Sequence, residues 1–191
     1  MLHVRELGKR YGAKWVFRGL DFSLQKGQAL VVLGRNGSGK STLLSILAGL
    51  IGATEGAVEV SGDRRRTLGY SALDMAVYPH LTVAEHLSLA ASMRGVQPNE
   101  GLLELVGLEH AGGKQGRELS TGMRNRLKIA LAIQPEPLVL LLDEPGAALD
   151  EAGRKMLEGV CEAQRQRGVL VIATNDPAER RLGTHELELA G

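Results

Sequence analysis

Apolar and polar residues alternate early in the chain and then switch to helical spacing. Val16, Leu20, Phe22 and Leu24 recur along an alternating stretch closed by the turn Gln25-Lys26-Gly27, so residues 1–33 read as strands. The run Ala29–Leu33 is short and wholly apolar, the pattern of a buried strand. From Lys40 to Leu50, the residues Leu43, Leu44, Leu47 and Leu50 fall at helical spacing. Ile51–Gly56 reads as loop, and Ala57–Val60 and Thr67–Tyr70 as two further short strands.

Helical signals then take over. Thr82 and Glu85 stand at capping-box spacing and open a helix carrying Leu87, Leu89 and Ala90. Gly101–Leu108 reads as a second, short helix. Ser120 caps a third, with Leu127, Ala130, Leu131 and Ile133 as its apolar positions. A strand-type run, Leu138–Leu142, follows Pro135 and Pro137. The next helix runs from near Asp150 to Arg167 and ends at Gly168, a residue suited to a helix C-terminus. Val169–Ala173 is another buried strand, and His185–Leu189 an edge strand. The layout is one α/β unit over residues 1–191, interrupted by a helical insertion from about 74 to 134.

Composition narrows the class. A hydrophobic fraction of 43% suffices for a packed core. The 23 basic residues nearly cancel the 22 acidic ones, so no strong field draws the chain onto nucleic acid, and no nucleic-acid partner is expected. Arg64, Arg65 and Arg66 form a dense basic triplet, which reads as a solvated turn. The single cysteine, Cys161, has no intrachain partner and fits a packing role in a reducing compartment. No apolar run approaches the roughly 18 residues of a membrane span, and Met1–Glu6 opens no signal-peptide core. The expectation is a soluble, cytoplasmic chain whose business with a membrane runs through a partner.

The candidate chemistry begins at Gly34. Gly34, Arg35, Asn36, Gly37, Ser38, Gly39, Lys40, Ser41 and Thr42 fit the phosphate-cradling pattern G-x-x-x-x-G-K-S/T between a strand and a helix. Glycine lets the backbone approach an anion, and the following helix aims its N-terminus at a phosphate. Lys40 can reach the β- and γ-phosphates, and the Ser41 hydroxyl can ligate Mg²⁺. A nucleoside triphosphate is the expected ligand.

Two further segments refine this. The aliphatic strand Leu138–Leu142 ends in Asp143 and Glu144. An Asp there can hold Mg²⁺ together with Ser41, and Glu144 lies where it can polarise a water for in-line attack on the γ-phosphate. Leu119, Ser120, Thr121, Gly122 and Met123 stand at a helix start, where a hydroxyl, a glycine backbone and a helix N-terminus make a second phosphate-binding device. Two such devices suit two chains, each offering this edge to the nucleotide of the other; read alone, the segment is an ordinary N-cap.

With these motifs in order, the sequence resembles the ATP-binding domain of ABC transporters over essentially its whole length. The resemblance implies a P-loop NTPase core with a mostly parallel sheet, an N-terminal antiparallel β subdomain and an inserted α-helical subdomain. Residues 34–42 resemble the Walker A loop, and Leu138–Glu144 resembles Walker B with its catalytic Glu. Leu119–Met123 is similar to the signature LSGGQ, with Thr121 and Met123 departing from it. Gly146–Asp150 resembles the D-loop, whose Asp meets the partner's Walker A. Tyr11 matches the aromatic that stacks on adenine. Two departures fall on groups that sense the γ-phosphate. Leu73 stands where the family carries a Gln, and Asn175, in Ala173-Thr174-Asn175-Asp176, stands where it carries the switch His.

The implied function is that of the ATPase subunit of an ABC transporter, taking ATP and Mg²⁺. It would pair with a second ATP-binding subunit, identical or not, and drive a multi-span membrane subunit from the inner face of the membrane. Residues 70–100, including Tyr78–Thr82, resemble the part of the family that receives the membrane subunit. The small size is similar to the haem-exporter ATPases of cytochrome c maturation, with short drug- or lipid-export subunits equally admissible. Two alternatives stay open: a nucleotide-gated module with weak hydrolysis, and a soluble ABC ATPase acting on ribosomes or DNA.

Overall fold

A computed structural model describes residues 1–99 and 101–190. The chain opens with a long hairpin, β1 (Leu2–Tyr11) and β2 (Lys14–Leu24), followed by β3 (Ala29–Leu33), α1 (Lys40–Leu47) and β4 (Glu55–Val60). A four-residue helix α2 (Arg64–Thr67) leads into β5 (Leu68–Ser71). The helices α3 (Val83–Arg94), α4 (Gly101–Leu105) and α5 (Thr121–Ile133) come next. The chain returns through β6 (Val139–Asp143), α6 (Glu151–Arg167), β7 (Val169–Ala173), α7 (Pro177–Arg180) and β8 (His185–Glu188).

Among the described residues, eight strands divide between two sheets. The first, antiparallel, has the order β2-β1-β4; the second has the order β5-β6-β7-β3-β8 and all its pairings are parallel. Continuous aliphatic runs form the centre of the parallel sheet because both of its faces are covered. Successive side chains leave opposite faces, so Val139 and Leu141 pack with α1 and the antiparallel sheet, while Leu140 and Leu142 pack with α6. A third cluster, with Val83, Leu87, Leu127 and Leu131, holds the helices between β5 and β6 together.

The sequence reading and the structure part company at element ends. The arginine triplet lies on α2 rather than on a turn, because the Asp63 side chain accepts from the Arg65 amide and starts a helical turn there. The helices expected to reach Leu50 and Leu108 stop at Leu47 and Leu105; Gly49 and Gly107, both at positive φ, turn the chain away. Asp176 and Pro177 start α7, which the apolar pattern did not announce. The edge strand expected at the C-terminus is β8, beside β3.

Candidate nucleotide-binding and catalytic site

The site lies at the carboxyl ends of the parallel strands, where β3, β6 and β7 deliver loops side by side. The loop from Gly34 to Gly39 is tight. Gly34 adopts φ 150°, and a Cβ there would lie 2.4 Å from Ser38 Oγ and 2.7 Å from the Leu189 carbonyl. Gly39, at φ 100°, presses against β2, where a Cβ would meet Val16 at 2.3 Å. No side chain caps α1 and no acid stands in its first turn, so its N-terminal field stays available to an anion. The Ser38 hydroxyl is buried within the loop and has no hydrogen-bond partner among the described residues.

Lys40, on the first turn of α1, is 6% exposed. Its ammonium donates to the Gly34 carbonyl at 2.8 Å and to the Asn175 side-chain oxygen at 2.9 Å. Glu144 Oε1 lies 3.8 Å away. The Asn175 amide group donates in turn to Asn36 Oδ1 at 2.5 Å. Asn175 is exposed, projecting beyond Thr174, whose amide extends the β7–β3 ladder by donating to Val32. Glu144 adopts φ 47°, an uncommon backbone conformation for a non-glycine residue and one that clusters at functional sites. Its amide donates to the Ala173 carbonyl at 2.8 Å, which locks the end of β6 to the end of β7.

Asp143 ends β6 and is buried. Burial pushes its carboxyl pKa up, while the Ser41 hydroxyl and the Lys40 charge pull it back. Its Oδ1 is enclosed with no hydrogen-bond donor among the described residues. A carboxylate with an orphaned oxygen beside a hydroxyl is a donor set that fits Mg²⁺, which takes one or two protein oxygens and completes its shell with water and phosphate. Asp143 and Ser41 would hold it. Among the described residues no group of three His, Cys, Asp or Glu side chains forms a protein-only metal cage.

The signature-like segment lies at the start of α5. Ser120 caps it, accepting from the Met123 amide at 3.2 Å. Leu119 packs into the helical cluster, whereas Ser120 and Thr121 are exposed. Gly122 faces the Ala148 carbonyl, which a Cβ would approach to 2.9 Å. Ser120, Gly122, Met123, Ala148 and Asp150 thus border one shallow recess of about 310 Å³. Asp150 caps α6 through the Gly153 amide and accepts from Arg126 on α5, and both bonds hold its carboxyl below the usual range. Tyr11 ends β1 at the hairpin tip, 56% exposed, with the Lys9 ammonium 4.9 Å from its ring centroid.

Leu73 projects its side chain outward, and its carbonyl accepts from the buried Lys128 of α5. Lys128, Asn36 as partner of Asn175, and the buried Glu179 had no signal in the sequence. The Glu179 carboxyl lies where a Gly146 Cβ would come within 2.0 Å of it; burial raises its pKa, and Oε2 has no partner.

Residues 17–147, more than half of the chain, match the ABC transporter family. The chain belongs to that family, and within it to the ATP-binding subunits. It is 38% identical over 187 residues to the cytochrome c biogenesis ATP-binding export protein CcmA of Bradyrhizobium diazoefficiens, covering 94% of this chain and 93% of that protein. It is 31% identical over 189 residues to the linearmycin resistance ATP-binding protein LnrL of Bacillus subtilis, covering 92% of this chain and 61% of the relative. A solved ATP-binding subunit of an ABC transporter superposes with a TM-score of 0.90 at 27% identity, covering 99% of this chain and 85% of that one. The parallel sheet, the antiparallel sheet and the placement of the helices are those of this family's fold.

Proposed function

We propose that the chain binds ATP with Mg²⁺, closes on a second ATP-binding subunit around the nucleotides, hydrolyses ATP, and by this cycle moves a multi-span membrane subunit of a transporter. The observation that carries this reading is the convergence of Lys40, Asp143, Glu144 and Asn175 at the rim of the loop 34–42. Lys40 would bind the β- and γ-phosphate oxygens, exchanging a neutral acceptor for charged ones. Bound Mg²⁺ would neutralise charge on the same phosphates. Glu144 would orient the attacking water and take its proton, and Asn175 would donate to the γ-phosphate through its amide. The Tyr11 ring offers an exposed stacking face to the base.

Ser120 and Gly122, on an open recess, suit contact with the nucleotide of the second subunit, and Asp150 borders that recess. A separate apolar recess of about 660 Å³ lies between α1, β5 and α3. Its Leu50 and Met93 are 64% and 75% exposed, and Arg64, Arg65 and Arg94 line it. Such an uncovered apolar surface supports docking of the membrane subunit. Among the described residues no helix is long and apolar enough to cross a membrane; attachment to the inner face would run through that partner. The names of the relatives, cytochrome c biogenesis export and linearmycin resistance, point to different cargoes, so cargo follows the membrane subunit.

One observation favours a second reading, a nucleotide-gated module with slow hydrolysis. Leu73 brings no polar side-chain atom to the site, and Asn175 is shorter than a histidine and never cationic. Steady-state ATP turnover of the purified chain, alone and in membranes holding its transporter partner, separates the two. Stimulated turnover supports a coupled ATPase; ATP binding without turnover in both settings supports the gated module; absence of ATP binding overturns both.

A further inference from the structure

Lys128 is a buried cation that the nucleotide site does not use. It lies two turns into α5, is 8% exposed, and is flanked by the buried residues Leu127, Ile129, Ala130 and Leu131. A buried ammonium is costly unless it is bonded and paired. Burial pushes its pKa down, and Asp74 pulls it back up. Among the described residues its hydrogen bond goes to one acceptor, the carbonyl of Leu73.

The position of that acceptor gives the bond its meaning. Ser71, two residues earlier, pairs in register with Leu142, next to Asp143, so the Leu73 loop leaves the sheet beside the metal-holding acid. The other end of α5 begins at Ser120 and Gly122 in the open recess. Leu73 has no side-chain hold on the site, since its side chain faces solvent; the loop is tied through its backbone instead. A second cation on α5, Arg126, bonds Asp150 at the cap of α6. The helix is therefore fastened to both loops that flank Asp143, the one after β5 and the one after β6.

We propose that Lys128 is a positioning residue that clamps the Leu73 loop to α5, so that a change at Asp143 reaches Ser120 in part through the bond from its ammonium to the Leu73 carbonyl, beside the tie from Arg126 to Asp150. The inference rests on the reading of Ser120 as a contact to a second subunit's nucleotide.

Hydrogen exchange on the full chain tests it, comparing the parent with Lys128→Met, Lys128→Leu and Lys128→Arg, with and without Mg²⁺-ATP. Methionine keeps the volume and removes the donor, so the melting temperature should hold or rise. Without nucleotide, amides of residues 72–77 should exchange about tenfold faster in Lys128→Met, and Lys128→Arg should restore most of the protection. With Mg²⁺-ATP, amides of residues 34–42 should slow in every protein. Those of residues 120–124 should respond in the parent and Lys128→Arg, and less than half as much in Lys128→Met, where the ties from Arg126 and Asn125 remain. Equal exchange over 72–77 in the nucleotide-free parent and Lys128→Met, or an equal response over 120–124, overturns the proposal. If residues 34–42 ignore ATP, the nucleotide-site reading fails, and the nucleotide-free comparison still decides the clamp. Should Lys128→Met not fold, Lys128→Leu, which also removes the donor, decides it: several-fold faster exchange over 72–77 supports the clamp, and no change overturns it.

Discussion

The Lys40 ammonium donates to the side-chain oxygen of Asn175 at 2.9 Å, across 135 positions of sequence. The same amide donates onward to Asn36 at 2.5 Å, so a neutral group links both sides of the phosphate loop. An amide can accept from a cation and donate to a neighbour at once, in one orientation and at any ordinary pH. Asn175 therefore holds Lys40, and under the proposed function its remaining amide hydrogen would donate to a phosphoryl oxygen.

Replacing Asn175 separates those roles. Losing a well-placed donor to developing charge costs roughly 3 kcal/mol, or about a hundredfold in rate, so Asn175→Ala should slow single-turnover hydrolysis to that extent. Asn175→His should speed it if the ring fits. ATP affinity should barely change in either variant, because the loop 34–42 supplies most of the binding. If Asn175→Ala turns over like the parent at saturating ATP, the residue only holds Lys40 and has no part in the chemistry.

Lys40→Ala removes a charge-assisted contact that no nearby neutral group replaces. Nucleotide affinity by calorimetry, or steady-state turnover, should fall on the order of a hundredfold. Unchanged values in both would remove the loop from the site.

Glu144→Gln keeps the shape of the side chain and its hydrogen-bonding ability while removing the base. This variant with Mg²⁺-ATP should elute as a dimer in size-exclusion chromatography, and adding Ser120→Arg should return it to monomer. Persistence of the dimer in the double variant would mean that the recess at Ser120 is not the contact.

Asp143 carries a pH signature. Its carboxyl is raised by burial in the folded chain, so the folded state holds the proton at pH values where the unfolded state has released it. Stability from this group is therefore full below the ordinary aspartate value, about 3.9, and is lost as pH rises through the raised value. Asp143→Asn should accordingly raise the melting temperature of the nucleotide-free chain at pH 8 and leave it nearly unchanged at pH 4. Mg²⁺-ATP should reverse the order, stabilising the parent more than the variant. Equal melting at both pH values would show that Asp143 titrates normally.

Much of this was legible in contiguous residues. The loop 34–42 between β3 and α1 could be read because its glycines, Lys40 and Ser41 are close neighbours in the chain. Thr82 and Glu85 form the reciprocal cap that their spacing implies, and Ser120 and Asp150 each cap a helix. The aliphatic runs at Ala29, Val139 and Val169 became the buried centre of the parallel sheet, since only burial on both faces accommodates them. Helix ends and α2 were harder to read, because a cap or a glycine a few residues away overrides apolar spacing.

What the sequence by itself determined was local: which segments pair or coil, which loop joins a buried strand to a helix, and which acids end a buried strand. Those properties come from backbone geometry and from side chains within a few positions of one another. Tertiary structure decided the rest. The strand order β5-β6-β7-β3-β8 brings Asn175 to Lys40 and sets the Leu73 loop beside Asp143. The fold of α5 against that loop lets Lys128 bond Leu73 across 55 positions. A hydrogen bond depends on distance in space, and that distance exists only once the sheet and the helical layer have packed.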